Sequence, residues 1–257
     1  MKVVILAAGS GSRLKPYTDE VPKGLVKVNG VPILQYQKQV YQSCGLKDIT
    51  VIGGYKADKL KPFFDQIIIN SAFDKTNMVY SLFLARQLFD GSEDIIVSYS
   101  DIIFSNGVLR KLIEGRGPIS IIVDDDWLSQ WQLRYDDPLE DAETMQIDEK
   151  NHIIDFGKKP QSLEEIQAQY IGLIKISRDV AESFFDIYLK ENFFETKLKG
   201  NKENMYMTDY LRELSHHGIK LKAEHVSGGW FEIYTTRDLE VCEGLVKADK
   251  LSFMNQG

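Results

Sequence analysis

The sequence predicts an α/β fold: a doubly wound, mostly parallel sheet with a smaller, hairpin-containing elaboration on the substrate side. Three observations carry this. Short apolar runs of strand length alternate with stretches of helical periodicity up to residue 126. The run 3–6, the run ending at Gly53 and the run ending at Asp101 close on glycine or aspartate, residue types suited to a turn that faces a ligand. Beyond residue 127 the alternation gives way to two short runs flanking Asp148-Glu-Lys-Asn151, a hairpin pattern.

In chain order, residues 3–6 read as a buried strand and 7–11 as a tight turn. A helix over 31–44 puts Ile33, Tyr36, Val40, Tyr41 and Cys44 on one face and stops at Gly45. Strands follow at 48–53 and 67–69 with a short helix over 58–65 between them, then a helix over 77–88. A strand over 94–101 ends in a carboxylate, a helix covers 106–113, and a strand over 119–123 runs into Asp124-Asp-Asp126, which reads as a solvated acidic turn rather than a metal cluster. The hairpin pairs 145–147 with 153–156. Beyond it come a strand over 171–176, helices over 179–191 and 208–217, and a strand over 221–226. Thr235 with Asp238 starts a capped helix running to about residue 250. We expect one domain over 1–257, with 1–126 as the core and 127–257 as an elaboration of the same sheet on the substrate side. In such sheets ligands bind beyond the carboxyl ends of the strands, the edge that holds Gly9, Gly53 and Asp101.

The opening segment, Leu6-Ala-Ala-Gly-Ser-Gly-Ser-Arg13-Leu14, carries the first chemistry. Successive backbone N–H groups in a glycine turn form an anion-binding concavity, and Arg13 and Lys23 add charge that packing does not call for. A dinucleotide fingerprint needs a third glycine where Leu14 stands and an acid where Gly53-Gly54 stands. A Walker loop needs Gly-Lys-Ser/Thr, which the chain lacks. A nucleotide-phosphate loop of another kind remains.

A net charge of −7 argues against non-specific binding to nucleic acid or anionic membranes, so an anionic ligand must be held by local lysines and arginines. Two cysteines, Cys44 and Cys242, form no disulfide framework, lie on apolar helical faces and suit a reducing cytoplasm. The first apolar run is too short for a signal-peptide core and no run is long enough to span a bilayer, so the expected location is cytoplasmic. The four histidines are scattered and suggest no zinc site.

The opening motif with Pro22-Lys23 resembles the Rossmann-like nucleotidyltransferase family, which joins a nucleoside monophosphate to a phosphorylated acceptor and releases pyrophosphate. The resemblance extends to the strand-end Asp101, to Trp230-Phe-Glu232-Ile, and to Asp155-Phe-Gly-Lys-Lys-Pro160, where Lys158 replaces the family's usual glutamate. It implies that Leu6, Ala7, Ala8, Gly9, Ser10 and Gly11 cradle a triphosphate, that Arg13 neutralises the leaving pyrophosphate, and that Lys23 bridges donor and acceptor phosphates. It also implies Mg²⁺ on Asp101 and Glu232; a helix cap for the first and an exposed loop acid for the second are the competing readings.

Asn77-Met-Val-Tyr-Ser81-Leu is similar to the cytidylyltransferase branch of phosphocholine and phosphonate enzymes, while Gly54, Tyr55, Ser98, Tyr99 and Ser100 would form a small pyrimidine pocket. The segments 74–79, 138–144, 168–173 and 203–208 resemble the cytidylyltransferases that act on phosphorylated glutamine in bacterial capsule phosphoramidate synthesis. That implies CTP and glutamine phosphorylated on its amide as substrates, and allows a homodimer.

Acceptor candidates are Asn77, Tyr80, Glu140, Lys159, Gln169 and Tyr170. Glu140, Asp141 and Glu143 would take an ammonium, and Gln169, Tyr170 or Arg134 a carboxylate. The aromatic residues Trp127, Trp131, Tyr135 and Tyr206 keep a quaternary-ammonium acceptor open. A sugar-1-phosphate nucleotidyltransferase and a catalytically silent nucleotide-binding subunit remain as alternatives.

Overall fold

The computed structural model describes residues 1–190 and 202–251. The first half runs β1 (Lys2–Ala7), β2 (Lys27–Val28), β3 (Val31–Pro32), α1 (Ile33–Ser43), β4 (Ile49–Gly53), β5 (Gln66–Ile69), α2 (Met78–Phe83), β6 (Ile95–Tyr99), β7 (Ile102–Phe104), α3 (Asn106–Glu114) and β8 (Ile119–Asp124). The second half runs α4 (Trp127–Arg134), β9 (Met145–Ile147), β10 (Ile153–Phe156), β11 (Gln169–Ile176), α5 (Arg178–Ala181), α6 (Asp186–Leu189), α7 (Met207–His216), β12 (Leu221–Val226), β13 (Trp230–Glu232) and α8 (Thr236–Lys247).

Seven strands form the central sheet in the order β12-β8-β11-β6-β1-β4-β5. All neighbours are parallel except β11, which runs antiparallel to both β6 and β8. Strands of the second half thus enter the same sheet as those of the first. From β1 the chain steps outward to β4 and β5, then returns to the other side of β1 at β6. That reversal opens a crevice between the carboxyl ends of β1 and β6, where the topology favours a ligand. The strands β1, β4, β6 and β8 are near-continuous apolar runs because helices cover both faces, and apolar clusters lie on either side. The predicted hairpin is present as β9–β10.

Several elements are shorter than their periodicity suggests. The predicted helix over 58–65 is one 3₁₀ turn, Ala57–Leu60, because Pro62 has no N–H to continue the helical hydrogen bonding. The helix over 77–88 ends at Phe83, and a tighter turn over Arg86–Leu88 brings Leu82, Ala85 and Phe89 onto the core together. The helix over 179–191 is two short pieces, α5 and α6, with adjacent Phe184 and Phe185 both buried between them; Glu191 lies outside the described residues. On α1 the fully buried face is Ile33, Leu34, Gln37 and Tyr41, while Tyr36, Val40 and Cys44 are half-buried.

The acidic turn needs correction. Asp124 is fully buried and accepts hydrogen bonds from the backbone N–H groups of Asp126 (3.0 Å) and Gly228 (2.9 Å) and from the Trp230 indole (2.7 Å). It is an anchor that holds the start of β13. The capping box at Thr235 and Asp238 forms as predicted. Cys242 is buried, which pushes its thiol up to about 12 and leaves it inert. Among the described residues no helix is long and apolar enough to cross a membrane.

Candidate active site

The loop after β1 turns at Gly11, whose φ of 62° is left-handed. A Cβ there would lie 2.8 Å from the Lys23 Cβ, so this turn and the Pro22–Lys23 segment need a glycine to close on each other. Thr18 donates its hydroxyl hydrogen bond to the Gly11 carbonyl at 3.0 Å and secures the loop from below. At Gly24 a Cβ would meet Leu34 at 2.7 Å and Ser100 Cβ at 3.3 Å. Its absence lets Lys23 reach the end of β6, where the ammonium meets Asp101 Oδ2 at 2.5 Å. Tyr234 supplies a floor: its ring centroid lies 4.7 Å from the Arg13 guanidinium and 4.5 Å from the Lys23 ammonium.

These residues line a cavity of about 310 Å³. Its wall holds Leu6, Ala8, Gly9, Ser10, Gly11 and Arg13 from the loop, Lys23, and Tyr99, Ser100 and Asp101 from the end of β6. The opposite wall is the turn before α2, with Phe73, Thr76, Asn77 and Ser81. Buried Asn70 ties that turn together, donating to Thr76 Oγ1 and Ser81 Oγ at 3.0 Å each and accepting from the Ala72 N–H.

A second cavity, of about 240 Å³, shares Met78, Tyr99, Asp101 and Tyr234 with the first. Its own wall adds Asp141, Glu143, Glu232 and the aromatic residues Trp131, Tyr170, Tyr206 and Trp230. Ladder geometry brings the two predicted metal carboxylates to the same place. β13 pairs with β7 so that Glu232 opposes Ile102, and the Ile233 N–H donates to the Asp101 carbonyl at 2.8 Å.

Arg134, buried on α4, donates to Glu232 Oε2 and Asp238 Oδ1, both at 2.8 Å. Burial raises the Glu232 carboxyl above its ordinary range, with Arg134 opposing the shift and Asp101 adding to it. Glu143 is pushed up to about 7, first by burial and then by Asp141.

Several sequence-predicted residues lie elsewhere. Ala7 packs on the α1 side of the sheet. Fully buried Ser98 bonds the Tyr99 carbonyl instead of facing the cavity. Gly54 and Tyr55 support the loop from behind, the Tyr55 N–H donating to the Ala8 carbonyl and its hydroxyl to the Thr18 carbonyl. Asn77 lines the first cavity rather than the acceptor side. Tyr80 and Glu140 line neither cavity. Lys159 is folded onto the carbonyls of Leu139 and Glu140, where its charge caps the 3₁₀ turn Pro138–Glu140. Arg134 is ion-paired through Nη2 to Glu232 and through Nε to Asp238, its Nη1 is buried without a hydrogen-bond partner, and it lines neither cavity. Gln169 and Tyr170 do line the second cavity, and Gln169 also ties the Glu143 backbone, accepting from its N–H at 3.1 Å. Tyr234 was not foreseen; nothing in an isolated aromatic residue announces a floor for two cations.

A model of the MobA-like NTP transferase domain matches residues 3–149. The chain is 38% identical over 253 residues to the CTP:phosphoglutamine cytidylyltransferase of Campylobacter jejuni, covering 94% of this chain and 98% of that one. The chain belongs to the nucleotidyltransferase family. It is an enzyme of that type, and its relatives include the choline-phosphate cytidylyltransferase of Streptococcus pneumoniae, 28% identical over 83% of this chain and 95% of that one. The inositol-1-phosphate CTP transferase structure from T. maritima superposes with a TM-score of 0.73 at 22% identity, covering 100% of this chain and 96% of that one. That likeness confirms the nucleotidyltransferase fold expected from the opening motif.

The family implies Mg²⁺, and the residues fit it. Asp101 Oδ1 is buried without a hydrogen-bond partner, and with Glu232 it offers hard oxygen donors. Among the described residues no group of three or more His, Cys, Asp or Glu forms a self-sufficient metal cluster. Two carboxylates suffice where substrate phosphates and waters complete the shell.

Proposed function

We propose that the protein is a cytidylyltransferase that joins CTP to a phosphorylated small acceptor bearing an ammonium group, with L-glutamine phosphorylated on its amide as the favoured acceptor. One observation carries the reading: a cation-lined cavity and a carboxylate-lined cavity meet at Asp101, which is ion-paired to Lys23 on the wall of the first. The acceptor phosphate oxygen attacks the α-phosphorus of CTP; a new P–O bond forms as the bond to the β-phosphate bridge breaks, and pyrophosphate departs with the electron pair.

In this reading the amides of residues 8–11 cradle the triphosphate and Arg13 neutralises the leaving group. Lys23, at the junction, holds the two reacting phosphates together against their mutual repulsion. Thr76, Ser81 and the backbone near Ser100 take the polar edge of the base. Asp101 and Glu232 would hold Mg²⁺, which when bound supplies charge neutralisation to the phosphates. Asp141 and Glu143 take the acceptor ammonium, while Gln169 and Tyr170 lie beside it. Residues 1–126 then serve the nucleotide and 127–257 the acceptor, as one working unit. The 38% identity to the C. jejuni enzyme supports CTP and phosphoglutamine. The aromatic wall of Trp131, Tyr170, Tyr206 and Trp230 favours phosphocholine as a second reading.

The test is pyrophosphate release from each nucleoside triphosphate against phosphoglutamine, phosphocholine, aminoethylphosphonate and hexose 1-phosphates. CTP with phosphoglutamine should turn over fastest. Silence with CTP and every acceptor would remove the proposal, and preference for UTP or dTTP with a hexose phosphate would replace it.

A further inference from the structure

The turn that presents Asp101 lies between β6 and β7, where sheet pairing ends. β1 follows β6 only as far as Tyr99, and β11 pairs with it only from Ser98 downward. A strand leaving a sheet carries carbonyls that still need donors. Gln37 on α1 provides one group for both sides of the turn. Its side-chain Nε2 donates to the Tyr99 carbonyl and to the Ile102 carbonyl, each at 2.7 Å. Both contacts are to acceptors, so the orientation of the amide is forced: an oxygen there would face two carbonyl oxygens.

The rest of the side chain makes little sense as packing. Gln37 has no exposed surface, and its Oε1 is buried without a hydrogen-bond partner. A polar group left in this state opposes folding, and an apolar residue of the same volume would avoid it. What Gln37 contributes is the bracket across residues 99–102. Within that bracket the Asp101 backbone carbonyl is held by Ile233, and one carboxylate oxygen by Lys23. The other oxygen is the buried, unpartnered Oδ1.

We infer that Gln37 is a positioning residue for the Asp101 carboxylate, acting by clamping the backbone on both sides of it. The inference rests on the proposed role of Asp101 toward the divalent cation. Groups that orient a metal ligand in this way typically change metal affinity or turnover by about 10–100-fold when removed.

The experiment uses the full chain with Q37M, which keeps the volume and removes both donors, and Q37E, which keeps the shape and one donor when protonated. Tyr41→Leu disturbs the same buried helix face, where the Tyr41 ring packs on Phe104 outside the 99–102 bracket, and serves as the stability control. Mn²⁺ binding is followed by electron paramagnetic resonance in the presence of CTP without acceptor, beside kcat and the KM for CTP in turnover. Q37M should weaken Mn²⁺ binding and lower kcat by roughly 10–100-fold with the KM for CTP little changed, and Q37E should fall between it and the wild type. If Q37M does not fold, Q37E alone must still show a loss that Tyr41→Leu does not.

Unchanged Mn²⁺ binding and kcat, or equal losses in Tyr41→Leu at matched melting temperature, would overturn the role of Gln37 and leave the proposed reaction standing. A wild-type chain that binds no Mn²⁺ beside CTP would overturn the metal reading and this inference with it.

Discussion

The two cavities are built from different parts of the chain and by different means, although they share Asp101, Tyr99, Met78 and Tyr234. The first is built around a glycine turn after β1, two cations within ten residues of each other, and a strand end. The second is made by side chains from β11, α7, β13 and the segment before β9, which meet only after folding. In the proposed function the first half holds phosphate and the second sets selectivity for the acceptor. A glycine loop tolerates few replacements because its shape is fixed by φ values and close approaches, whereas a side-chain wall changes specificity residue by residue.

The sharpest way to break the comparison is at the junction. In the proposed reaction Lys23→Ala removes a charge that both reacting phosphates need in the transition state. Loss of a comparable preorganised donor costs about 2.7–4 kcal/mol, so kcat should fall by about 10²–10³-fold. Steady-state pyrophosphate release measures it, and a loss confined to the KM for CTP would show that Lys23 belongs to the first cavity alone.

The next effect belongs to the second cavity alone. Glu143→Gln removes a half-buried carboxylate from its acidic side. Hydrogen bonds to charged groups contribute about 1.5–3 kcal/mol, so the acceptor KM should rise roughly 10–100-fold while the KM for CTP holds. An equal rise for an uncharged phosphorylated acceptor would detach Glu143 from ammonium recognition.

Legibility followed the same division. The place of Gly9, Gly53 and Asp101 at the carboxyl edge of the sheet was readable because each is local to a strand end. Asp124 was misread because nothing in an Asp-Asp-Asp run says which carboxylate turns inward to meet the Trp230 indole. Lys159 looked like a phosphate ligand because sequence shows a charge but not the carbonyls already waiting for it. Nothing in the sequence singles out Gln37, since its two carbonyl partners lie more than sixty residues away. Helix lengths were overestimated wherever tertiary packing, as at Phe184 and Phe185, outweighed periodicity.

Acid–base behaviour separates the halves again. Glu143 is raised from the ordinary carboxylate range to about 7, so the empty fold binds a proton that the unfolded chain has already lost. Its contribution to stability therefore falls as pH rises from about 4.5 to 7, the reverse of a salt-bridged carboxylate. In the proposed function the acceptor ammonium requires the ionised form. The acceptor KM should accordingly rise as pH drops below about 7, approaching tenfold per unit, and level off above it. Both trends should flatten in Glu143→Gln, and a pH-dependent KM for CTP instead would assign the titration to the first cavity.

The smallest effect is expected where sequence and structure part most clearly. Lys159 is an acceptor candidate by sequence, yet its ammonium is engaged by the carbonyls that end the Pro138–Glu140 turn. A charge satisfied at a helix terminus contributes about 0.3–1 kcal/mol there. Lys159→Ala should thus lower the melting temperature slightly and leave kcat and both KM values near the wild type. The turn it caps leads directly to Asp141 and Glu143, so a modest rise in acceptor KM alone would still be consistent with this placement. A loss of kcat approaching that of Lys23→Ala would mean that Lys159 leaves the turn and reaches the acceptor phosphate during the reaction, adding a third cation to the junction.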